Sequence, residues 1–406
     1  PFRSNGVFKT TFSKDKSTKK QTINYIITEN NFPFCSILKV MKYKSDKNYS
    51  HGDERKIGVL FVNLGTPDEP TTSAVRRYLA EFLSDPRIVE IPRVIWWLIL
   101  NLIILNLRPK KSRNLYKKIW LENGSPLLVI SNKIIDKIKK SKNIAQKKYL
   151  NIDLAMRYGN PSIIRALDHF KKQNINRLAI IPMFPQYSAA TTASIFDEVT
   201  KEIKKWRNIP DIRFLSTYHD NSYYISACVN RIKTSWENKK KSKKLVFSFH
   251  GLPQVNLHKG DPYHCYCQKT ARMIAIELGL KEEEYVVTFQ SRFGKQVWLK
   301  PYTDEVLKKL AEDGIDSVDV FCPGFLCDCL ETLEEINMQS RENYISCGGK
   351  SFTYIPALND YDKNIEAMEQ IILGEIGNWD NDNMNSKENL ETTKKLFDKQ
   401  IHNKKI

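Results

Sequence analysis

The stretch Phe247-Ser248-Phe249-His250-Gly251-Leu252-Pro253 decides the interpretation of this chain, because it joins a strand to a titratable side chain. Residues 245–249 are rich in β-branched and aromatic side chains, which is typical of a buried parallel strand. Gly251 and Pro253 end the strand. We therefore expect His250 at the carboxyl end of a strand, where open α/β sheets bind ligands. A core histidine bonded to a backbone carbonyl is the alternative.

A second stretch, residues 322–335, has the same form as the first. A strand is followed by a Pro-Gly break, and polar and acidic residues then open a helix. Two strand ends that carry chemical groups favour a ligand site over a chance core histidine.

The rest of the chain alternates short apolar runs with longer amphipathic segments. This alternation predicts an α/β fold with parallel sheets and right-handed crossovers, built from two half-chains of similar form. The predicted strands cover residues 57–64, 152–158, 178–183, 212–217, 245–249, 285–289, 317–321 and 352–355.

The chain has 406 residues, of which 41% are hydrophobic, and this suggests two lobes rather than one. Residues 1–55 are polar and basic, and we interpret them as a disordered or targeting leader. We expect a first lobe at residues 56–205, a second at 206–375, and a polar tail at 376–406 that frays.

The formal net charge of +18 favours anionic partners, such as acidic lipid headgroups or a substrate that carries carboxylates. No zinc-finger spacing or RNA-binding aromatic signature is present, so we expect no nucleic-acid partner. No G-x-G-x-x-G follows the first strand, which argues against a nucleotide cofactor and a nucleotide-dependent oxidoreductase. Eight cysteines in so long a chain indicate a reducing compartment rather than a disulfide scaffold.

Residues 94–107 form an apolar segment with two tryptophans. It is shorter than the roughly 20 apolar residues that a membrane-spanning helix needs. Arg93 precedes it, and Arg108, Lys110 and Lys111 follow it. Basic flanks around such a segment suit the membrane interface; an ordinary buried helix is the alternative.

Several motifs, taken in order, resemble the ferrochelatase family, whose members insert ferrous iron into protoporphyrin. The resemblance covers residues 57–375 and is closest to enzymes of Gram-negative bacteria. The motifs are Asn63-Leu64-Gly65-Thr66-Pro67, Gly124-Ser125-Pro126, Phe184-Pro185-Gln186-Tyr187-Ser188, Ser248-Phe249-His250-Gly251-Leu252-Pro253, Gly260-Asp261-Pro262-Tyr263, Phe289-Gln290-Ser291-Arg292-Phe293-Gly294, Trp298-Leu299, Pro323-Gly324-Phe325, Asp328 and Leu330-Glu331-Thr332-Leu333.

The resemblance implies two Rossmann-like, doubly wound domains that face each other across a porphyrin cleft. It also implies that His250 and Glu331 are the catalytic and metal-binding pair, and that Asp328 and Glu335 form a proton or metal path. The implied porphyrin contacts are Leu64, Arg108, Ser125, Arg157, Tyr158, Phe184, Trp298 and Phe325.

The implied partners are protoporphyrin IX and ferrous iron as substrates, together with a membrane surface reached through residues 94–107. We expect a monomer or weak dimer in the cytoplasm, peripherally attached to the inner membrane, with organellar targeting left open. Three alternatives also stay open: coproporphyrin as the ring, cobalt insertion into sirohydrochlorin, and a non-catalytic tetrapyrrole carrier.

Metallation explains why an imidazole and a carboxylate are needed. Two pyrrolic protons must leave while the iron loses its waters. An imidazole with its ordinary pKa of about 6.5 accepts a proton at neutral pH, and a carboxylate can relay another. A site that bends the ring exposes its nitrogen lone pairs.

The chain departs from the animal enzymes at Cys329, where they carry a histidine two residues before the active-site glutamate. It also lacks their C-terminal cysteine motif. Four thiolates can hold a [2Fe–2S] cluster; buried reduced thiols are the alternative. The thiols that could ligate such a cluster are Cys265, Cys267, Cys322, Cys327 and Cys329.

Overall fold

The computed structural model describes residues 43–44, 52, 54, 56–238, 241–294, 296–380 and 387–402. The leader predicted for residues 1–55 therefore lies outside the described residues, apart from four positions.

All eight predicted strands are present, with ends that differ by a few residues. They are β1 (Lys56–Thr66), β2 (Leu150–Gly159), β3 (Ile175–Pro182), β4 (Asp211–Phe214), β5 (Lys244–His250), β6 (Tyr285–Gln290), β7 (Ser317–Phe321) and β8 (Ser351–Ile355).

The strands form two parallel four-stranded sheets with the same internal order. The first sheet runs β2-β1-β3-β4 and the second runs β6-β5-β7-β8. In each sheet the chain crosses to both sides of its first strand. The carboxyl ends of β1 and β5 therefore border the crevice where such sheets bind ligands.

The helices lie between the strands, as the alternation predicted. They are α1 (Thr72–Ser84), α2 (Arg93–Leu98), α3 (Leu105–Ile119), α4 (Pro126–Lys140), α5 (Lys142–Ala145), α6 (Ile163–Lys172), α7 (Ser194–Ile203), α8 (Ser222–Asn238), α9 (Gln254–His258), α10 (Tyr263–Glu277), α11 (Thr303–Glu312), α12 (Arg341–Ser346), α13 (Asp362–Asp380) and α14 (Lys387–His402). Three π-helical segments, Ile99–Ile104, Ala189–Ala193 and Glu331–Ser340, and a short 3₁₀ helix, Glu282–Glu284, complete the set.

One hydrophobic core runs through both sheets. It contains Phe61 of β1 and Phe247 of β5, together with Ile134 of α4, Ile232 of α8 and Met368 of α13. The helices between the sheets thus bury side chains from both half-chains together. The lobe boundary predicted at residues 205–206 stays a prediction.

The apolar segment predicted at residues 94–107 is helical and two-sided. Trp96, Leu100 and Leu105 are buried, and the Trp96 indole donates to the Leu83 carbonyl at 2.6 Å. The opposite side exposes seven large apolar residues, which we call the lip patch: Val94, Ile95, Trp97, Leu98, Leu102, Ile103 and Leu107. Among the described helices, none has the length and hydropathy of a membrane span.

The prediction that the chain frays after about residue 375 was wrong. Helix α13 continues to Asp380, and α14 covers Lys387–His402. The polar composition of this region was interpreted as disorder. Ile372, Ile376 and Trp379 instead bury an apolar stripe of α13, which stabilises the helix by tertiary packing.

Candidate functional site

His250 ends β5, and its ring is half-buried at the carboxyl edge of the second sheet. The Nδ1 atom lies 2.7 Å from the Gly251 carbonyl oxygen. A carbonyl can only accept, so Nδ1 carries a proton, and Nε2 is the acceptor atom in the neutral form of the ring. The backbone contact expected for a core histidine is thus present. It occupies Nδ1 and leaves Nε2 as the ring atom that can take part in a reaction.

Gln290 connects this histidine to the acidic helix. It pairs with His250 across β5 and β6, and it is almost fully buried. The Ser248 hydroxyl donates to Gln290 Oε1 at 2.7 Å. The amide Nε2 is thereby turned toward the Glu331 carbonyl oxygen, to which it donates at 3.0 Å. Gln290 therefore fixes the start of the Glu331–Ser340 π-helix relative to His250.

Glu335 lies on the same π-helix and accepts several hydrogen bonds. The Ser291 backbone N–H donates to it at 2.7 Å, its hydroxyl also donates, and the Gln290 amide lies at 3.3 Å. Burial raises the Glu335 pKa, although the Ser291 bonds and the charge of His250 oppose this; the charge of Glu331 raises it further. Glu335 is therefore within electrostatic reach of both His250 and Glu331.

Glu331 is the first residue of the π-helix and is half-buried. Burial raises the pKa values of Tyr78 on α1 and Tyr116 on α3, and the charge of Glu331 raises both pKa values further. These tyrosines come from the first half of the chain. Glu331 thus lies where the second sheet meets helices of the first half-chain.

Asp328 is predicted to be part of a proton or metal path, and its carboxylate is surrounded by hydrogen-bond donors. Its carboxylate accepts from Thr332 at 3.0 Å, from the Asn359 amide at 2.6 Å, and from the Tyr354 hydroxyl. The Ala357 backbone N–H is a further donor at 3.3 Å. Because these donors occupy both oxygens, the contacts of Asp328 indicate an anchor for the turn before the π-helix.

Arg157 and Tyr158 end β2 and are both bound to Asp85. Arg157 donates to Asp85 at 2.5 Å, the Tyr158 hydroxyl donates at 2.8 Å, and the Ser194 hydroxyl donates at 2.6 Å. Burial would raise the Asp85 pKa, but the hydrogen bonds from Ser194, the Arg87 backbone and Tyr158, together with the charge of Arg157, lower it instead. Arg157 and Asp85 thus form a largely buried ion pair, and Tyr158 has no exposed surface.

Three other predicted porphyrin contacts follow strands or open helices of the first half. Ser125 is buried and caps α4, where its hydroxyl accepts from the Leu128 N–H at 3.3 Å. Leu64 and Phe184 are half-buried at the ends of β1 and β3. Gly65 has φ +122°, and a Cβ there would lie 1.8 Å from the Tyr158 carbonyl oxygen, so only glycine fits the close approach of the chains.

Arg108 and Trp298 meet through Phe293. The Arg108 guanidinium lies 5.0 Å from the Phe293 ring centre, and the Trp298 indole donates to the Phe293 carbonyl at 2.9 Å. Phe325 lies with its ring centre 6.4 Å from that of His250. Helix α3 is therefore in contact with the loop after β6, and the loop after β7 is in contact with the His250 ring.

The cysteines considered as cluster ligands do not support a [2Fe–2S] centre. Cys265 is exposed on α10, whereas Cys267, two residues on, is fully buried. Cys322, Cys327 and Cys329 are buried as well, and burial raises the pKa of each thiol. Among the described residues, no three His, Cys, Asp or Glu side chains are placed to hold a metal ion.

Two surface cavities were found, and neither is lined by His250 or Glu331. The larger, of about 640 Å³, lies beside α10 and includes His219, Cys265 and Lys269. The smaller, of about 450 Å³, is lined by Val255, Val297 and neighbouring residues.

Sequence reasoning did not assign roles to Gln290, Ser291, Asp85 or Ser194. Gln290 and Ser291 stand inside a quoted motif, and a glutamine at the end of an apolar strand was the signal available. Asp85 and Ser194 lie 109 residues apart in sequence and meet only in the folded chain.

The chain is similar to known proteins over most of its length. The ferrochelatase family model matches residues 56–376. A ferrochelatase from Marinobacter nauticus is 49% identical over 340 residues, covering 84% of this chain and 92% of the relative. Ferrochelatase 2 from Shewanella oneidensis is 51% identical over 322 residues, covering 79% and 98%.

A solved structure, SirB from Bacillus subtilis with Fe3+, shares the fold with a TM-score of 0.50 at 11% identity. That match covers 80% of this chain and 98% of SirB. The match of the family model to most of the chain, and relatives of about half-identical sequence along most of their own length, lead to one conclusion: the chain belongs to the ferrochelatase family.

Proposed function

We propose that this chain inserts ferrous iron into protoporphyrin IX and forms protohaem, the terminal step of haem synthesis. The observation that carries the proposal is the environment of His250. Its Nδ1 is committed to the Gly251 carbonyl, its Nε2 is free, and Glu335 responds electrostatically to both His250 and Glu331. A base and a carboxylate pair within reach of each other are what metallation requires.

In the proposed reaction, the ring loses two pyrrolic protons and gains one Fe²⁺, so charge is balanced. His250 Nε2 accepts a pyrrolic proton through its lone pair. Glu331 accepts or relays the second, and Glu335 passes protons onward because its raised pKa brings it closer to neutral pH. Iron is a substrate here, and imidazole nitrogen and carboxylate oxygen are both acceptable ligands for it on the way.

For the porphyrin, we propose contacts of two kinds. Leu64, Phe184, Trp298 and Phe325 supply apolar surface, and Arg108 supplies a cation suited to a propionate. Arg157, Tyr158 and Ser125 stand apart. Their polar atoms are engaged by Asp85 or by a helix terminus, so we propose that they shape the first half of the site from behind.

The rival chelatase reactions have less support. SirB from Bacillus subtilis, solved with Fe3+, shares only the fold at 11% identity, whereas the relatives named ferrochelatase are 46–51% identical. We propose a reducing, cytoplasmic setting and a monomer or weak dimer.

The test is a fluorescence assay of protoporphyrin loss with ferrous or zinc ion under anaerobic conditions. The wild-type protein should insert metal. The Glu331→Gln variant should insert metal about 100-fold more slowly, or slower still, while porphyrin binding should still quench its protein fluorescence. Glu342→Gln, an exposed glutamate in the next helix, is the matched control and should retain activity. A wild-type protein that binds porphyrin without metallating it would point to the carrier alternative.

We also propose that the lip patch docks on the inner membrane. Its seven exposed apolar residues lie beside the exposed cations Arg93, Arg108, Lys110 and Lys111, a combination that suits anionic lipid headgroups. The double variant Trp97→Ser, Leu102→Ser should lose co-sedimentation with anionic vesicles. Ile276→Ser, which removes an equally exposed apolar residue from α10, should not. Equal vesicle binding by both variants would reject the lip as the docking surface.

A further inference from the structure

Glu334 is a buried carboxylate that the proposed reaction does not use. It lies on the π-helix between Glu331 and Glu335, and its side chain is only 2% exposed. One oxygen is 2.8 Å from the Lys118 ammonium, and the other accepts from the Gln339 amide at 2.6 Å. A buried carboxylate is costly without such partners, so the fold keeps this pair for a reason beyond solubility.

Lys118 belongs to α3, the helix that continues from the lip patch. It stands near the carboxyl end of α3, and its own side chain is about half exposed. The hydrogen bond to Glu334 raises the Lys118 pKa, so the ammonium is charged at neutral pH. The pair thus joins the lip helix to the helix that carries the acids.

Apolar packing supports the same junction. Leu330, Leu333 and Met338, on or next to the π-helix, pack against the cluster that contains Trp96 and Tyr116. The charged hydrogen bond between Lys118 and Glu334 adds a further contact to this apolar packing, at a fixed place on the π-helix. The π-helical hydrogen-bond pattern is rare and is frequently found at functional sites.

We propose that the Lys118–Glu334 pair is a positioning device that fixes the rotation of the π-helix and thereby aims Glu331 and Glu335 at the reacting ring. Glu334 is adjacent to Glu335 in sequence, so a rotation that moves one moves the other. The inference rests on the proposed function, because it assigns roles to Glu331 and Glu335. Lys118 and Glu334 act through those acids and touch no substrate.

The test compares Lys118→Met with Lys118→Arg in the metal-insertion assay, with Lys117→Met as the matched control. Lys117 is exposed, adjacent and outside the pair. Lys118→Met should lower kcat roughly tenfold with little change in the KM for porphyrin, as removal of an outer-shell partner does. Lys118→Arg should restore kcat, and Lys117→Met should match wild type. Melting temperatures measured beside the rates separate misplacement of the acids from loss of folded protein.

If Lys118→Met folds poorly, the double variant Lys118→Met, Glu334→Gln removes the uncompensated buried charge. It should fold and still show the reduced kcat. Wild-type kcat in either variant, or an equal loss in Lys117→Met, would overturn the inference while leaving the proposed function intact. Absence of metal insertion by wild type would instead overturn the proposed function.

Discussion

The carboxyl edges of the two sheets are built on the same strand order but hold their polar groups differently. At the first edge, Asp85 gathers Arg157, Tyr158 and Ser194 into a buried network. At the second edge, His250 keeps a free nitrogen, and Glu335 is half-buried near another acid. The same strand order therefore gives two different sheet edges. At the first edge the polar groups bind one another, and at the second edge His250 and Glu335 remain available for proton transfer.

The pKa directions of the two carboxyl groups express this difference. Asp85 is buried and Glu335 is half-buried, and loss of solvent raises a carboxyl pKa. At Asp85 the hydrogen bonds and a cation outweigh burial, and the pKa falls. At Glu335 burial outweighs its hydrogen bonds, and the pKa rises. The four predictions that follow test the contrast.

The largest effect is expected at the second edge, from His250→Ala. Loss of the Nε2 acceptor should lower the rate of metal insertion by about 10²–10⁴-fold, with porphyrin binding largely kept. The fluorescence assay measures both quantities. His258→Ala, which removes an exposed histidine of α9, is the control. Near-normal insertion by His250→Ala would remove the distinction between the two edges.

At the first edge, Asp85→Asn should mainly cost stability. It leaves the Arg157 charge buried without its partner, so we expect a loss of about 3–5 kcal/mol in the free energy of unfolding, measured in urea. Asp197→Asn breaks the exposed pair with Arg87 and should cost under about 1 kcal/mol. A fall in kcat as large as that of His250→Ala, without loss of stability, would mean that Asp85 at the first edge takes part in the reaction.

The pH dependence of stability should have opposite signs at the two edges. The raised pKa of Glu335 means that its contribution is complete below the ordinary value of 4.5 and is lost as pH rises through the folded value. The lowered pKa of Asp85 means that its contribution is present above 3.8 and is lost as pH falls through the folded value.

Urea unfolding at a series of pH values measures both slopes. Glu335→Gln should remove the decline on the higher-pH side, and Asp85→Asn should remove the decline on the acid side. Glu342→Gln should change neither slope. If Glu335→Gln leaves the higher-pH decline unchanged, the environment assigned to Glu335 is wrong.

The smallest effect is expected from Ser125→Ala, which removes the N-cap of α4. The free energy of unfolding should fall by about 1 kcal/mol, and porphyrin affinity should not change. Ser162→Ala, which removes the cap of α6, should have a similar cost. A clear loss of porphyrin affinity in Ser125→Ala alone would return this residue to the substrate-binding surface.

The strand ends and the histidine were predictable because local patterns specify them. β-branched and aromatic runs predicted all eight strands, and the Gly-Leu-Pro break after residue 250 placed His250 at the end of its strand. The hydrogen-bond partners of Asp328 and Ser125 were less predictable. The sequence does not show whether a carboxylate or a hydroxyl faces a substrate or is hydrogen-bonded to neighbouring residues. The tail was predicted wrongly because its polar composition hid the apolar stripe of α13.

The sequence by itself determined the α/β alternation and the family, and it named the histidine and the acids as candidates, since periodicity, turn residues and motif order can be read along the chain. Only the tertiary structure decided which polar groups are engaged in hydrogen bonds or ion pairs within the protein and which remain available to bind a ligand. That distinction depends on partners from distant parts of the chain, such as Asp85 for Arg157 and Lys118 for Glu334, and on burial, which sets the direction of each pKa shift.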